Sequence, residues 1–374
     1  MALRPIAGTW LTRSIRALRT VVIIVLVTIA MTEIAARLVP GIPSMVRSLE
    51  PERAWEDRFL EMMHRDGTLV MGGFHRPHPT RGWTVAPSAH QIVDRFTYTT
   101  NERGYRSLRS YTPDPAKYTV LAIGDSFTFG IDTNDAETWP HLLEARDARL
   151  NVINLGVGGY GVDQMDVTLQ ETIGVYHPDL VIVAFIGDDL RRTFLSFRDY
   201  KKPRFVLRGG GLRLTNVPIG TPDEVIGEIE MRRRWLDRSY TFGLLRGFTR
   251  LALGSTVLPA NGPLPADAME LDTRLLDQMR DVSRQNGADF LPVYLSYGEG
   301  LFDAKLAEEG EEYLRTYGEH ARVATLDTRP AFLRQHRLDW VKGHYQGREN
   351  QVVSGAIYKQ ILPLMSHASG SSPH

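Results

Sequence analysis

The stretch VLAIGDSFTFG, residues 120–130, decides how this chain is interpreted. Its first residues are apolar. They are followed by Gly124-Asp125-Ser126 and then by an aromatic, glycine-containing turn. A short apolar run that is ended by turn residues predicts a buried parallel strand with a loop at its carboxyl end. Functional sites of open α/β sheets form outside those carboxyl ends. Ser126 is therefore a candidate nucleophile, although a serine before a helix also serves as an ordinary N-cap.

The composition excludes several classes of function. The 374 residues carry 44 basic and 44 acidic side chains, so no charge excess indicates a nucleic-acid partner. The absence of cysteine excludes disulfides and thiolate chemistry and leaves the redox compartment open. The sequence also lacks metal-ligand spacing, a dinucleotide fingerprint and a phosphate loop. We therefore expect neither a metal nor a cofactor.

The amino terminus predicts a membrane segment. Its apolar run, residues 21–31, is preceded by four arginines, which are Arg4, Arg13, Arg16 and Arg19. Extending the run to Val39 gives the roughly 20 residues of a spanning helix, with Glu33 and Arg37 near the outer interface. This pattern is typical of an uncleaved signal anchor or a removed signal peptide, with the amino end cytoplasmic. A buried core helix is the third alternative, and we favour the anchor.

The rest of the chain predicts an α/β domain with an insertion. Strands are predicted at 118–123, 151–154, 179–186, 289–295 and 322–326, and helices at 137–147, 162–175, 267–286, 303–317 and 348–364. This alternation favours a parallel sheet with helices on both faces. Residues 191–266 interrupt it as an insertion, which includes a hairpin turn at 208–213.

Five segments result from this interpretation. They are a cytoplasmic basic segment at 1–19, a transmembrane anchor at 20–39, a juxtamembrane connector and β lead-in at 40–116, the main domain at 117–365, and a disordered tail at 366–374. Three further polar or glycine-rich clusters follow predicted strands or precede the last helix. They are NLGVGGYG at 154–161, Gly187-Asp188-Asp189, and His344. In a doubly wound sheet all of them gather at one edge with Ser126.

These clusters resemble the four sequence blocks of the SGNH/GDSL hydrolase superfamily, whose members include esterases, lipases and some acyltransferases. Gly124-Asp125-Ser126 matches the first block and Asn154-Leu155-Gly156 the second. Gly187-Asp188-Asp189 and His344 stand where that family has Gly-x-Asn-Asp and Asp-x-x-His. The resemblance implies a flavodoxin-like three-layer αβα sandwich. The lead-in and Glu33 are similar to envelope-anchored bacterial members, which implies a single pass through the inner membrane and a periplasmic main domain.

The resemblance also implies roles for individual residues. Ser126 would attack an ester carbonyl, and His344 would carry the proton. The backbone N–H groups of Ser126 and Gly156 would bind the oxyanion, together with the residue at position 188. We expect glycine at 156 because a side chain there would block the approach of the oxyanion.

Two positions depart from the family pattern. Asp188 replaces the asparagine of the oxyanion hole, and an ionised carboxylate repels an oxyanion. Asp188 could donate only if burial or Asp189 kept it protonated, and otherwise it would face Arg191 or Arg192. Val341 occupies the position of the triad acid, so the nearest carboxylate is Asp339. The alternatives are a Ser126–His344–Asp339 triad and a Ser–His dyad with a backbone carbonyl orienting the histidine.

The functional prediction is an extracytoplasmic serine esterase that removes an acyl group, such as acetyl, from a small ester or an envelope carbohydrate. The alternatives are an O-acyltransferase that modifies a polysaccharide, and a non-catalytic binding module that the departures at Asp188 and Val341 would permit. The expected partners are an acylated small molecule or carbohydrate and the membrane, and no nucleic acid is expected.

Overall fold

The computed structural model describes residues 7–39, 41, 51–69, 74–235, 239–252, 266–297, 304–335 and 343–368. Its helices, numbered in chain order, are α1 (Ala7–Leu38), α2 (Pro51–Asp66), α3 (Ser126–Phe129), α4 (Trp139–Glu144), α5 (Val162–Tyr176), α6 (Gly187–Arg192), α7 (Pro222–Trp235), α8 (Tyr240–Ala252), α9 (Ala266–Gln285), α10 (Ala304–Ala321), α11 (Arg329–Leu333) and α12 (Gly347–Ala368).

The strands are β1 (His75–His78), β2 (Gly82–Val85), β3 (His90–Val93), β4 (Phe96–Thr99), β5 (Tyr118–Gly124), β6 (Leu150–Asn154), β7 (Leu180–Phe185), β8 (Phe197–Arg198), β9 (Tyr200–Lys201), β10 (Arg204–Arg208), β11 (Gly211–Thr215), β12 (Asp289–Tyr294) and β13 (Leu326–Asp327). The chain divides into two units, Met1–Ala54 with Ile226–Ala260, and Trp55–Val225 with Asn261–His374. The predicted insertion at 191–266 is thus shared between them.

The larger unit is built on a five-stranded parallel sheet. Its strand order is β6-β5-β7-β12-β13, which is the order 2-1-3-4-5 of a flavodoxin-like fold. The residues of β5, β6 and β7 are all buried, as expected of strands covered on both faces. The predicted fold class is therefore confirmed.

Helices cover the two faces of this sheet. The chain moves one way across the sheet from β5 to β6 and the other way from β6 to β7, so right-handed crossovers place α4 and α5 on opposite faces. The helix α12 packs against α4, and α9 packs against α5. The β lead-in forms two antiparallel hairpins, β1–β2 and β3–β4.

Three local predictions have different outcomes. The hairpin at 208–213 is confirmed, because β10 and β11 pair around Gly209 and Gly210, which have φ values of +60° and +80°. The strand predicted at 322–326 is wrong in its extent. Since α10 continues to Ala321 and Arg322 turns the chain with a φ of +52°, only Leu326 and Asp327 pair with the sheet. The helix α12 also continues to Ala368, into the predicted tail.

The smaller unit contains α1 and α8, which pack against each other. Within the described part of the chain, one segment is long and apolar enough to cross a membrane, Ile15–Leu38 of α1. The predicted apolar helix near the amino terminus is therefore present. Its length and composition fit a membrane anchor or a signal sequence.

Candidate active site

Ser126 begins the short helix α3 directly after the carboxyl end of the buried strand β5. Asp125 caps this helix, because its Oδ1 accepts the Phe127 N–H at 2.9 Å. Gly124 is required by packing, since a Cβ there would lie 2.5 Å from the carbonyl oxygen of Ala184. The Gly-Asp-Ser sequence thus fixes a tight turn that holds the serine at the sheet edge.

The structure brings Ser126 and His344 together. The Oγ of Ser126 lies 2.9 Å from the Nε2 of His344, although 218 positions separate the two residues. His344 precedes α12, and the Phe127 ring packs 5.0 Å from its ring, between centroids. The same Phe127 ring contacts Tyr345 edge-on at 4.8 Å. Aromatic packing therefore holds the imidazole over the serine hydroxyl.

The other nitrogen of His344 faces Asp132, a residue that the sequence analysis did not include. Asp132 Oδ2 lies 3.3 Å from His344 Nδ1. Asp132 has a φ of +62°, and its N–H donates to the Tyr98 hydroxyl at 3.0 Å. The hydrogen bond from His344 holds the pKa of Asp132 below its ordinary value, so this carboxylate is ionised at neutral pH. Asp339, the predicted acid, lies outside the described residues.

Comparisons with known proteins include the residues of this site. The GDSL-like lipase/acylhydrolase family matches residues 122–348, more than half of the chain and both Ser126 and His344. The chain belongs to the GDSL-like lipase/acylhydrolase family. It is accordingly a hydrolase that acts on ester bonds.

Several solved structures are also similar. A catalytic mutant of Axe2, an acetylxylan esterase from Geobacillus stearothermophilus, is 14% identical, with 67% of this chain and 96% of that chain covered and a TM-score of 0.38. The psychrotrophic esterase EstA from Pseudoalteromonas sp. is 13% identical, with 67% and 100% covered and a TM-score of 0.37. A member of the lipolytic protein G-D-S-L family from Veillonella parvula DSM 2008 is 11% identical, with 64% and 96% covered and a TM-score of 0.38. No curated protein matches the chain.

Gly156 follows the second strand of this GDSL-family sheet, and its N–H donates to Asn154 Oδ1 at 3.0 Å. A Cβ on Gly156 would lie 2.6 Å from the carbonyl carbon of Thr128 and closer still to the Phe129 nitrogen. Asn154 Nδ2 also donates to the Thr128 carbonyl at 2.9 Å. Glycine at 156 is thus required because the loop after β6 packs on the backbone of α3, a reason different from the predicted approach of an oxyanion.

Asp188 faces Arg192, which is one of the two arginines that the sequence suggests as its partner. Its Oδ2 lies 2.5 Å from Arg192 Nη2. Burial alone would raise the pKa of Asp188, but the charges of Arg192 and Arg198 outweigh burial, and the pKa lies below its ordinary value. An ionised carboxylate has no proton to donate. In this state Asp188 cannot donate a hydrogen bond to an oxyanion, as the asparagine of the family does.

Arg192 also holds the carboxylates of Asp125 and Asp189. Its Nη1 lies 2.5 Å from Asp189 Oδ1 and 3.5 Å from Asp125 Oδ2, and all three side chains are buried. Asp189 Oδ2 accepts the Ile186 N–H at 3.0 Å. Burial, together with the charge of Asp125, raises the pKa of Asp189. This cluster links the turn before Ser126 to α6.

His75 and Gly158 also lie at the site, and the sequence analysis gave neither a catalytic role. A Cβ on Gly158 would lie 4.0 Å from Ser126 Cβ and 3.9 Å from His75 Nε2. His75 belongs to β1, in the segment 40–116 that the sequence predicts as a juxtamembrane connector and β lead-in. No sequence motif marks His75, and Asp132 is marked only by its closeness to Ser126. In the described ranges, no group of three or more His, Cys, Asp or Glu residues could hold a metal ion.

Proposed function

We propose that this chain is a membrane-anchored, extracytoplasmic serine esterase in which Ser126 is the nucleophile and His344 the general base. The observation that carries the proposal is the 2.9 Å separation between Ser126 Oγ and His344 Nε2. This distance lies within the range of a nucleophile–base hydrogen bond. It also argues against the non-catalytic alternative, which would not require these two side chains to meet.

The reaction proceeds in two halves. Ser126 Oγ attacks the acyl carbonyl while its proton passes to His344 Nε2, and the tetrahedral intermediate then expels the alcohol, which takes that proton. The acyl group remains on Ser126 as an ester. A water molecule next attacks this ester with His344 as base, and the second intermediate releases the carboxylic acid and restores the serine hydroxyl.

Asp132 is the acid of this proposed triad. Its carboxylate accepts the Nδ1 proton of His344, which leaves Nε2 unprotonated toward Ser126. The ionised state of Asp132 also stabilises the imidazolium that forms during each half-reaction. With Asp132 in this role, neither Asp339 nor a backbone carbonyl is needed to orient the histidine.

Backbone N–H groups supply the proposed oxyanion hole. Among the described residues, the N–H groups of Ser126, Gly158 and Gly159 donate to no protein acceptor, whereas that of Gly156 donates to Asn154. Gly158 also lies beside Ser126. We therefore assign the oxyanion to the Ser126 N–H and the Gly158–Gly159 backbone. Asp188 is excluded as a donor because its carboxylate is ionised and paired with Arg192.

The location follows from α1. Its apolar segment Ile15–Leu38 supports membrane anchoring, and the arginines before it support a cytoplasmic amino end. The larger unit then lies on the outer side of the inner membrane. The proposed substrate is an acyl ester of a small alcohol or of an envelope carbohydrate.

Labelling with a fluorophosphonate probe tests the nucleophile. We expect the wild-type chain to react and the Ser126→Ala variant not to react. The control is Ser110→Ala, which removes an exposed hydroxyl that contacts Glu102 and should leave labelling unchanged. Equal labelling of the wild type and Ser126→Ala would refute the assignment.

Product analysis separates hydrolysis from acyl transfer, which share the same acyl-enzyme. The wild-type chain is incubated with p-nitrophenyl acetate, with and without candidate glycans. Hydrolysis predicts free acetate in an amount equal to the p-nitrophenol in both samples. An acetylated glycan formed at the expense of free acetate would favour the transferase alternative.

A further inference from the structure

Helix α8 of the insertion holds the carboxylate of Glu33, which lies in the apolar helix α1. Glu33 Oε2 accepts hydrogen bonds from Ser239 Oγ at 2.8 Å and from the Thr241 N–H at 3.0 Å. These donors lie at the amino end of α8, where helix N–H groups lack partners within the helix and favour a negative charge. Glu33 therefore caps α8 from another part of the chain.

A second contact joins the same two helices. Arg37 is one turn after Glu33 on α1 and pairs with it at 2.9 Å. The Arg37 guanidinium also lies over the Tyr240 ring, 5.5 Å from its centroid. Contacts at Glu33 and Arg37 fix α8 to the last two turns of α1. Helix α8 thus lies at the carboxyl end of the apolar segment.

Small residues are found where the two helices approach. Ala36 of α1 is buried, with 1% of its surface exposed, and Gly243 of α8 is buried as well. Small residues at a helix–helix contact let the two backbones pack closely within membranes. The packing of α1 and α8 has this character.

Helix α8 carries two large apolar side chains that are exposed. Phe242 and Leu245 lie three positions apart and are 38% and 59% exposed. The helix that α8 contacts is itself apolar and exposed over Ile15–Leu38. Both helices thus carry exposed apolar side chains.

The position of Glu33 along α1 indicates how deeply α8 lies in the bilayer. The 24 residues Ile15–Leu38 span about 36 Å, somewhat more than the roughly 30 Å hydrocarbon core of a bilayer. Glu33 is five residues before Leu38, so it lies about 8 Å from that end. A carboxylate near the hydrocarbon boundary is costly unless it has hydrogen-bond donors. Ser239 and Thr241 supply those donors.

We propose that α1 is retained in the mature chain and that α8 lies beside it in the outer boundary of the bilayer, with Phe242 and Leu245 in contact with lipid. This inference rests on the proposed membrane anchoring and does not depend on the esterase chemistry. Removal of α1 as a signal peptide would deprive the amino end of α8 of the Glu33 carboxylate. The partner of the exposed face is the lipid bilayer.

Single-cysteine labelling of the full chain tests the proposal, because the wild-type chain has no cysteine. Leu245→Cys places an environment-sensitive fluorophore on the exposed face of α8. The matched control is Ile92→Cys in β3, an aliphatic side chain that is 69% exposed in the larger unit. Both proteins are reconstituted into bilayers of phosphatidylethanolamine and phosphatidylglycerol, with and without brominated acyl chains. The intact mass of each purified chain identifies its first residue.

We expect the label at position 245 to emit at shorter wavelength than the label at position 92 and to be quenched by brominated lipid. We also expect the mass to include α1. Equal emission and equal lack of quenching at the two positions would overturn the lipid contact. A mature chain that begins after Leu38 would overturn the retention of α1. Hydrolysis of p-nitrophenyl acetate by the same samples tests the esterase proposal separately, since its loss would leave the labelling result unchanged.

Discussion

His344 Nδ1 lies 3.3 Å from Asp132 Oδ2, across 212 positions of sequence. Asp132 is on the turn that follows α3, the helix that carries Ser126, whereas the family pattern places the acid just before the histidine. The proposed nucleophile and the proposed acid therefore belong to one local segment, and His344 contacts both of them. The proposed triad does not require a carboxylate at position 341.

Asp132→Asn tests this arrangement. We expect kcat to fall by about 100-fold or more, because the amide no longer stabilises the imidazolium or selects the Nδ1-protonated tautomer. The loss should stay below the about 10⁴-fold of a fully buried triad aspartate, since the Asp132 side chain is 44% exposed. The measurement is steady-state hydrolysis of p-nitrophenyl acetate.

Asp339→Asn is the matched control for that variant. We expect it to retain close to wild-type kcat, because the proposed acid is Asp132, which lies 3.3 Å from His344 Nδ1. If Asp339→Asn lost activity while Asp132→Asn kept it, the assignment of Asp132 would be wrong and the acid would come from the segment before His344.

Asp188→Asn should maintain or raise kcat. The wild-type carboxylate is ionised against Arg192 and cannot donate, whereas an asparagine amide supplies a donor of the kind worth about 2.7–4 kcal/mol in other oxyanion holes. Arg192 keeps Asp125 and Asp189 as partners, so we expect the fold to persist. The measurements are kcat and KM, with thermal unfolding to verify the fold.

A fall in kcat of more than 100-fold in a folded Asp188→Asn protein would contradict this expectation. That result would mean that the negative charge itself is needed, for example to hold Arg192 in place. Asp281→Asn serves as a control, because its carboxylate is exposed on α9 and pairs with Arg280 at the surface.

Gly156→Ala should impair both folding and activity. The new Cβ would lie 2.6 Å from the Thr128 carbonyl carbon, and backbone atoms of α3 can move only by displacing Ser126. We expect a loss of about 1–3 kcal/mol or more in the free energy of unfolding. Urea unfolding followed by circular dichroism measures it.

For Gly174→Ala we expect the opposite effect on stability. Gly174 lies within α5, and no atom comes within 4 Å of the position of its Cβ. Alanine is favoured over glycine in a helix by about 0.5–1 kcal/mol, so this variant should be at least as stable as the wild type. Equal destabilisation by both substitutions would show that packing against α3 is not the reason for glycine at 156.

The buried Asp166 should make stability fall as pH rises. Burial raises the pKa of Asp166 to about 7, against hydrogen bonds to its Oδ2 from Gln278 at 2.9 Å and Gln170 at 2.6 Å. The folded chain thus keeps this proton up to about pH 7, whereas the unfolded chain releases it near its ordinary pKa of 3.8. Between these values the folded state binds more protons, so the free energy of unfolding decreases with pH.

Asp166→Asn should remove this contribution, since the amide imitates the protonated acid. We expect the wild type to lose more stability between pH 5 and 8 than the variant, by an amount of order a few kcal/mol. Thermal unfolding at both pH values measures the difference. The same pH dependence in both proteins would show that Asp166 is not the titrating group.

Several features of the site were open to sequence analysis because they are local. Ser126 follows an apolar strand in a three-residue turn whose tightness requires Gly124, and this pattern lies within eleven consecutive residues. His344 could be singled out because it precedes a helix in the register of a known family. The structure places these two side chains within hydrogen-bond distance.

Other features could not be inferred in this way. The sequence leaves Asp188 a choice between a protonated donor and a partner of Arg191 or Arg192, and only the buried charges around it decide for Arg192. His75 comes from a hairpin whose sequence carries no catalytic pattern, and it lies beside Gly158 because the lead-in packs on the sheet edge.

The sequence by itself determined the parallel sheet, the position of Ser126 at its edge and the apolar helix α1, because each is encoded by short-range patterns of apolar and turn residues. Only the tertiary structure decided that Asp132 faces His344 and that α8 joins α1 at Glu33. Both relationships join segments about two hundred residues apart. Their energy comes from packing and hydrogen bonds that exist only once those segments have met.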